Sequence, residues 1–278
     1  MKPEDFVLLA NLVKQRSGLV LTNDKMYLLE SRLPPVARKW GLQSVEELAN
    51  AVRAQRDEAM MQAITEAMMT CETSFFRDRY PFEQFRKLLL PYFIKIRTAR
   101  RQIRVWSAAC SSGQEAYSLA MLCAEEATAL QGTQMEILGT DLSTEMIERA
   151  KNAAYTQFEV QRGLPITMLV KYFLQNGEKW QIKDHLRGMV QFQNGNLIHD
   201  FGPMGVFDVI FCRNVLIYFD PPTRARVLAR LAGILAPDGA LFLGGPETVL
   251  GISDKFKLMD QQRGLYILAN APALKAAG

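Results

Sequence analysis

The sequence predicts an α/β fold, in which a parallel sheet is covered by helices on both faces, preceded by an all-helical N-terminal domain. Two observations predict it. From Arg101 onwards, short apolar runs alternate with helical patterns, which is typical of parallel strands buried on both faces. Before about residue 100, apolar residues recur at helical spacing and no strand pattern occurs. With 278 residues, 49% of them hydrophobic, the chain can build a sizeable core in each part.

The N-terminal helices are predicted from apolar spacing and from their start and stop residues. Phe6, Leu9 and Val13 mark a first helix that Gly18 ends, and the two prolines at 34–35 should kink or split the next one. Ser44 with Glu47 has the pattern of a capping box that opens a later helix. We assign residues 1–72 to this domain, residues 73–95 to a linker and connecting helix, and residues 96–278 to the α/β domain.

The elements of the α/β domain follow one another in regular alternation. The predicted strands and helices cover residues 103–106, 115–127, 135–138, 144–152, 207–211, 222–235 and 240–243, with a terminal hairpin over 256–259 and 265–268. The alternation breaks at about residues 172–193. There, residues 179–182 and 189–192 resemble short antiparallel strands, which predicts a small β insertion.

Composition excludes several classes of protein. A net charge of +4 with 22% charged residues is too balanced for a disordered chain and too weakly basic to indicate nucleic-acid binding. The four cysteines form no CxxC pair, and with two histidines they predict neither a disulfide framework nor a metal site. Because no apolar run reaches 18 residues and the start does not resemble a signal sequence, we expect a soluble cytoplasmic protein without membrane insertion.

The ends of the first two predicted strands indicate a nucleoside site. Ligands of open parallel sheets bind at the carboxyl ends of the strands, and the first end here runs through small residues to Gly113. The absence of a G-x-G-x-x-G motif disfavours a pyrophosphate site. Asp141, at the end of the second strand, can accept hydrogen bonds from both ribose hydroxyls, although a carboxylate at that position also suits the start of the next helix. Together these features indicate S-adenosylmethionine.

Polar residues at the later strand ends fit the same site. Asn196 follows the third strand, and Arg213 with Asn214 follows the fourth. Either asparagine alone would more often be a turn residue, whereas a guanidinium beside an apolar strand needs partners. Tyr218 lies four residues beyond Asn214. At the junction of the two domains, Phe75, Phe76 and Arg77 indicate either a lid with one directed cation or an interdomain hydrophobic contact in which Arg77 pairs with Asp78 or solvent.

Three segments of the sequence resemble the chemotaxis receptor methyltransferases of the CheR family. They are Thr-Ser-Phe-Phe-Arg at 73–77, Trp-Ser-Ala-Ala at 106–109 with Ser-Gly-Gln-Glu-Ala-Tyr-Ser at 112–118, and Phe-Cys-Arg-Asn-Val-Leu-Ile-Tyr-Phe-Asp at 211–220. The resemblance covers nearly the whole chain. It implies a Rossmann-like class I methyltransferase sheet with a small antiparallel β insertion and a helical N-terminal domain. It also implies methyl transfer from S-adenosylmethionine to glutamate side chains of bacterial chemoreceptors.

The resemblance carries specific residues with it. It implies a cofactor site lined by Thr73, Arg77, Glu115, Asp141, Asn196, Leu197, Arg213 and Asn214, with Arg77 and Tyr218 nearest the reacting centre. The chain departs from the family at three places. Gln114 and Ala116 stand where Glu and Pro are usual, Cys71 stands where Asn is common, and residues 244–247 read Gly-Gly-Pro-Glu instead of Gly-His-Ser-Glu.

The implied reaction is an in-line displacement that needs no general base and no metal, because a glutamate with a pKa of about 4.3 is ionised at neutral pH. We expect a monomer that binds the glutamate-rich methylation helices of receptor cytoplasmic domains and is recruited to membrane-bound receptor arrays. Arg32, Arg38 and Lys39 form a basic cluster that can attract those helices, or else a solvated helix face. The alternatives are a methyltransferase for RNA or a small molecule and a scaffold without catalysis.

Overall fold

A computed structural model of the chain describes residues 1–55 and 57–271, and these divide into two compact units. Unit 1 comprises Met1–Thr70 together with Tyr218–Arg224, and unit 2 comprises the residues between these segments and those that follow them. The end of the predicted α/β domain, residues 272–278, lies outside the described residues. No helix in the described ranges combines the length and apolarity that crossing a bilayer requires.

Unit 1 is helical, as its apolar spacing predicts. Its helices are α1 (Pro3–Ser17), α2 (Met26–Arg32), α3 (Pro34–Lys39), α4 (Val45–Ala54) and α5 (Glu58–Ala67), with a 3₁₀ turn at Asn23–Lys25. Gly18 ends α1 in the left-handed conformation, and the prolines separate α2 from α3. The hydroxyl of Ser44 accepts from the N–H of Glu47 at 3.1 Å, which confirms the predicted start of α4.

The segment Tyr218–Arg224 is held in unit 1 by contacts with α1 and the residues after it. Leu19 and Phe219 form an isolated antiparallel bridge. The carboxylate of Asp220 pairs with the Lys14 ammonium at 2.7 Å, and that contact lowers the pKa of Asp220. The Tyr218 ring packs against the apolar core of this unit. The motif that begins on a strand of unit 2 therefore ends in unit 1.

Unit 2 begins with a helical stretch and continues as alternating strands and helices. The stretch is α6 (Tyr80–Gln84), a π-helical turn (Phe85–Leu89) and α7 (Leu90–Ile96). The remaining elements are β1 (Gln102–Ala108), α8 (Gln114–Glu125), α9 (Ala127–Leu130), β2 (Gln134–Asp141), α10 (Thr144–Asn152), β3 (Ala154–Thr156), α11 (Gln157–Gln161), α12 (Ile166–Tyr172), β4 (Phe173–Asn176), β5 (Lys179–Ile182), α13 (Asp184–Arg187), β6 (Val190–Asn194), β7 (Phe207–Cys212), a 3₁₀ turn (Leu216–Tyr218), α14 (Pro221–Ile234), β8 (Leu235–Leu243), β9 (Phe256–Leu258) and β10 (Leu265–Leu268). The last residue of this 3₁₀ turn and the first four of α14 belong to unit 1.

The main sheet has seven strands in the order β6-β2-β1-β7-β8-β10-β9. The first five are parallel, and β10 pairs antiparallel with both β8 and β9, which confirms the terminal hairpin. The chain progresses outwards from β1 to β2 and β6 on one side, and then to β7 and β8 on the other. The strand order thus reverses between β1 and β7, which is where open α/β sheets bind their ligands.

The predicted β insertion exists, but the prediction that residues 189–192 form one of its strands is wrong. We expected residues 189–192 to form a short antiparallel strand of the insertion. Instead, Val190–Asn194 is a parallel edge strand of the main sheet, with Ile137 opposite Val190. The insertion is a separate three-stranded antiparallel sheet in the order β3-β5-β4. Short apolar runs fit either sheet, and only the strand they pair with decides between them.

Candidate functional site

The carboxyl ends of the parallel strands of unit 2 lie side by side. Ala108 is in register with Thr140 on one side and with Cys212 on the other. Farther out, Asp141 is opposite Asn194, and Cys212 is opposite Leu243. The loops that follow these residues therefore emerge along one edge of the sheet. The strand-end residues singled out in the sequence all precede or begin these loops.

The loop between β1 and α8 is tightly wound. Ala109, Ser111 and Gly113 all have positive φ, at 56°, 51° and 92°. A Cβ at residue 113 would lie 3.0 Å from that of Ala150, so the turn requires glycine for space as well as for its backbone. The amide of Cys110 donates to the carbonyl of Thr140 at 2.9 Å, which ties the loop to the end of β2.

Asp141 orients this loop through its carboxylate. One oxygen accepts from the N–H of Ser111 at 2.8 Å and the other from the N–H of Ser143 at 3.0 Å. Ser143 caps α10, so the carboxylate also serves the start of that helix, the other role considered from the sequence. Asp141 is buried, and the two bonds fix the direction of its oxygens at the strand end.

A buried ionic network connects β1, α8, the end of β7 and the segment before α6. The side chain of Arg213 is 2% exposed and pairs with Glu115 at 2.7 Å and with Asp78 at 2.6 Å. It also donates to the carbonyl of Arg77 at 2.9 Å, while its buried Nε has no partner among the described residues. The second oxygen of Glu115 accepts from the Ser107 hydroxyl. The sequence predicted that Arg213 needs partners, but it did not identify Asp78 as one of them.

The segment at 73–77 lies against the core of unit 2. Phe75 and Phe76 are buried, and the ring of Phe75 packs edge-on against Tyr155 and Phe173 of the insertion at 5.0 and 5.6 Å. The two phenylalanines are thus core residues of unit 2, and these ring contacts lie within that unit. Thr73 and Arg77 are half-buried, and Arg77 donates to the Glu72 carbonyl at 2.9 Å.

The insertion also contacts the loop after β1 directly. The hydroxyl of Tyr155, on β3, donates to the carbonyl of Ser112 at 2.8 Å. Tyr155 is fully buried, and burial raises the pKa of its hydroxyl, so the group remains a neutral donor. This contact could not be predicted, because β3 has only three residues and its pattern is too short to recognise.

The loop after β6 lines a cavity of about 240 Å³. Asn196 and Leu197 are on its wall together with Trp106 and Thr140, whose side chains hydrogen-bond to each other at 3.0 Å. Asn196 is half-buried and its Oδ1 accepts from the N–H of Ile198, while Leu197 is buried. The cavity adjoins the end of β2, so a nucleobase bound next to Asp141 would contact amide and apolar side chains.

The electrostatics of this edge favour a cation. Four carboxylates lie near the strand ends. Those of Asp78 and Glu115 pair with buried Arg213, whereas those of Asp141 and Glu247 accept from backbone amides. Burial and the carboxylates of Asp141 and Glu115 raise the pKa of the Cys110 thiol, and burial with Glu247 and Glu115 raises that of Cys212. Because ionised carboxylates are acceptors and carry negative charge, a nucleoside with a positive charge fits this edge of the sheet, whereas the phosphate of a nucleotide would be repelled.

No group of three or more His, Cys, Asp or Glu side chains suited to a metal ion occurs within residues 1–55 and 57–271. The free cysteines at 110, 123 and 212 are buried, and Cys71 is half-buried with its carbonyl accepting from the Ser111 hydroxyl.

Asn214 follows β7 in unit 2 and has a φ of +59°. The remaining predicted site residues lie in unit 1. Tyr218 belongs to it with the segment described above. Arg38 and Lys39 are exposed at the end of α3, and the Lys39 ammonium lies 5.1 Å from the Trp40 ring centre. Arg32 differs, because its guanidinium donates to the carbonyls of Met68 and Met69 at 3.0 and 3.1 Å. It therefore satisfies carbonyls just beyond the end of α5.

Comparisons with known proteins cover nearly the whole chain. Residues 71–265 match the family model described as CheR methyltransferase, SAM binding domain, and residues 4–69 match CheR methyltransferase, all-alpha domain. The chain is 38% identical over 269 residues to chemotaxis protein methyltransferase 1 of Pseudomonas aeruginosa, which covers 95% of this chain and 97% of the relative. It is 38% identical to the chemotaxis protein methyltransferase of Vibrio parahaemolyticus, covering 92% and 93%. Identity to that of Escherichia coli is 32%, covering 91% and 87%.

Proposed function

The chain belongs to the family of CheR methyltransferases, and on this basis we propose that it methylates specific glutamate side chains of bacterial chemoreceptors. It is an S-adenosylmethionine-dependent methyltransferase by that membership; the proposed products are glutamate methyl esters, formed in chemotactic adaptation, and S-adenosylhomocysteine. The observation that carries the proposal is that the relatives named for chemotaxis are similar over both domains, with 91% to 95% of this chain covered.

The residues proposed to hold the cofactor are those at the strand ends and before α6. Asp141 would accept from the ribose hydroxyls, Asn196 and Leu197 would contact the adenine, and Glu115 would face the positive charge. The full proposed set is Thr73, Arg77, Glu115, Asp141, Asn196, Leu197, Arg213 and Asn214. When bound, S-adenosylmethionine supplies a methyl group on a positively charged sulfonium, which an incoming carboxylate can accept in line.

The chain's own contribution is orientation and exclusion of water. A glutamate carboxylate is ionised at neutral pH, so no residue has to remove a proton from it. Proximity and orientation supply roughly 7–11 kcal/mol in favourable cases. We assign the orientation of the carboxylate to Arg77 and Tyr218. The planar guanidinium of Arg77 can hold both carboxylate oxygens, which a lysine ammonium cannot do in the same geometry.

Arg77→Lys separates this role from a generic positive charge. We expect the variant to fold, to bind cofactor more weakly, and to methylate receptor at least about tenfold more slowly at saturating cofactor. A tenfold decrease in rate corresponds to an increase of roughly 1.4 kcal/mol in the activation free energy. Steady-state methylation of a receptor fragment measures the rate, and thermal unfolding checks the fold.

The matched control for this variant is Arg79→Lys. Arg79 is an exposed arginine two residues farther along the same segment, and its substitution should leave the rate within about twofold, since no role in the site is assigned to it. If Arg77→Lys turned over receptor as fast as Arg79→Lys does, the oriented-carboxylate role would be wrong.

We assign recognition of the receptor to the basic cluster of unit 1. Methylation segments rich in glutamate are acidic, and Arg38 and Lys39 are exposed basic side chains with no ion pair among the described residues. Arg32 is committed to two carbonyls, so we expect it to contribute charge and helix packing rather than a direct contact. The proposed partner is therefore a glutamate-rich receptor helix in the cytoplasm. We propose that the chain binds it as a monomer at receptor arrays.

Reversing both charges, in Arg38→Glu/Lys39→Glu, should weaken receptor methylation without changing cofactor affinity. The loss should shrink as salt rises, because the Debye length falls from about 10 Å at 0.1 M to about 3 Å at 1 M. Initial rates measured across that range at low receptor concentration report the effect.

The control Lys87→Glu/Lys95→Glu makes the same change in net charge at two exposed lysines of unit 2. It should retain most of the activity. Equal rates for the two double variants at low ionic strength would show that the basic cluster is a solvated helix face.

A radiolabelled methyl-transfer assay against a panel of receptor cytoplasmic fragments tests the substrate class. Total RNA and a mixture of small carboxylic acids serve as the competing substrates. We expect base-labile label on at least one receptor fragment. Label on RNA or on small molecules, with none on any fragment, would overturn the proposal, and cofactor binding without transfer to any substrate would favour the scaffold.

A further inference from the structure

Glu247 has a hydrogen-bonding environment that the proposed mechanism does not use. It lies in the turn after β8 and is 7% exposed. Its Oε2 accepts from the backbone N–H of Gly244 and of Asn214 at 2.6 and 2.8 Å. Its Oε1 accepts from those of Val215, Leu216 and Ile217 at 2.9, 2.7 and 3.3 Å. One carboxylate therefore receives five backbone donors.

Four of the five donors come from the turn after β7. Asn214 has a φ of +59°, in the left-handed region, which asparagine enters more readily than most residues with a side chain but which still favours glycine. The next three amides point to the same oxygen, so the backbone from 214 to 217 forms a concave anion site of the type called a nest. Its anion is the chain's own carboxylate.

The turn that carries Glu247 also approaches this backbone closely. A Cβ at Gly244 would lie 2.7 Å from Nδ2 and 2.8 Å from the backbone nitrogen of Asn214. The two turns are adjacent because Cys212 and Leu243, the last residues of β7 and β8, are in register. Gly244 therefore allows the two turns to approach closely, and Glu247 links them by hydrogen bonds.

We propose that Glu247 is a positioning residue of the cofactor site. Its carboxylate accepts hydrogen bonds from the backbone amides of residues 214–217. These bonds hold Asn214 in its left-handed conformation and set the direction of the side chains that follow β7. Glu247 does not touch cofactor or substrate. The proposal rests on the proposed role of Asn214 in binding cofactor, and it assigns a reason for the glutamate at the end of the Gly-Gly-Pro-Glu turn.

Glu247→Gln tests this with the smallest change in shape. The amide keeps one acceptor oxygen but turns an NH₂ group, itself a donor, towards backbone donors, so part of the nest is left unpaired. We expect amide hydrogen exchange at residues 214–217 to become faster, and the Kd for S-adenosylhomocysteine, measured by calorimetry, to rise about tenfold. The Kd shift is the readout that a purely structural role would not move.

The matched control is Glu159→Gln. Glu159 also accepts from a backbone amide, that of Thr156 at 2.9 Å, but it caps α11 instead of joining two strand ends. The Glu159→Gln variant should have a lower melting temperature but an unchanged Kd for S-adenosylhomocysteine. Glu247→Asp keeps the charge and should give an intermediate Kd, which keeps the test decisive if the glutamine variant does not fold.

Faster exchange at residues 214–217 with an unchanged Kd in either Glu247 variant would overturn the positioning role. So would equal Kd values for the Glu247 and Glu159 variants. Neither outcome depends on receptor methylation. A wild-type chain that binds S-adenosylhomocysteine but does not methylate receptors would refute the proposed function and leave this inference standing.

Discussion

Arg213→Met is expected to lower the free energy of unfolding by about 3 kcal/mol, the lower end of the range for breaking a buried ion pair. The guanidinium is 2% exposed, and its removal leaves the Glu115 carboxylate, 12% exposed, without its cation. Asp78 is 53% exposed and can rehydrate, so it adds little to the cost. Urea unfolding followed by circular dichroism measures the change.

Arg162→Met is the control for this substitution, because it removes an exposed ion pair. The side chain of Arg162 is 43% exposed and that of its partner Glu72 is 59% exposed. Removing this pair should cost about 0–1 kcal/mol. Adding Glu115→Gln to Arg213→Met should recover part of the loss, since the uncompensated charge is then gone. A loss no larger than that of the control would mean that the network does not stabilise unit 2.

Asp141→Ala should weaken the binding of S-adenosylmethionine and of S-adenosylhomocysteine alike, because both contain the ribose that the carboxylate is proposed to hold. Losing a charge-assisted hydrogen bond costs roughly 1.5–3 kcal/mol, or about a ten- to hundredfold rise in Kd. The loop after β1 also loses its bond to the Ser111 amide, which adds to the effect. Isothermal titration with either ligand measures it.

Two further variants separate the causes. Asp141→Asn keeps an acceptor oxygen for one of the two serine amides, so it should bind more tightly than the alanine variant. Asp184→Ala removes an exposed carboxylate that pairs with Arg187 near the insertion, and it should leave the Kd unchanged. Unaltered affinity in Asp141→Ala would remove this residue from the site.

Most elements were predictable because their signals are local. Helix α10 covers the predicted residues 144–152, and Gly18 ends α1 as expected. The failures concern pairing and short elements. Residues 189–192 carry a strand pattern, but their partner is β2, about fifty residues away along the chain, and nothing local specifies a parallel neighbour. Strand β3 is too short for its alternation to be recognised.

The candidate site divides in the same way. Asp141 and Arg213 are polar residues at strand ends, so their place at one edge followed from the rule for parallel sheets. Glu115 lies in α8, and its place in the site was implied by the family resemblance. What those side chains bind in the folded chain did not follow. Asp78 meets Arg213 across 135 residues, and Glu247 meets backbone amides, whose directions depend on the left-handed Asn214. Amides have no signature in the sequence.

The central claim, methyl transfer to receptor glutamates, is tested most directly by locating the methyl group on a receptor fragment. The fragment is incubated with the chain and S-adenosylmethionine, digested, and analysed by mass spectrometry beside a fragment whose methylation-helix glutamates are replaced by glutamine. We expect one added methyl per modified glutamate, released by mild base, and none on the glutamine fragment. Methyl groups that resist base, or that appear equally on both fragments, would contradict it.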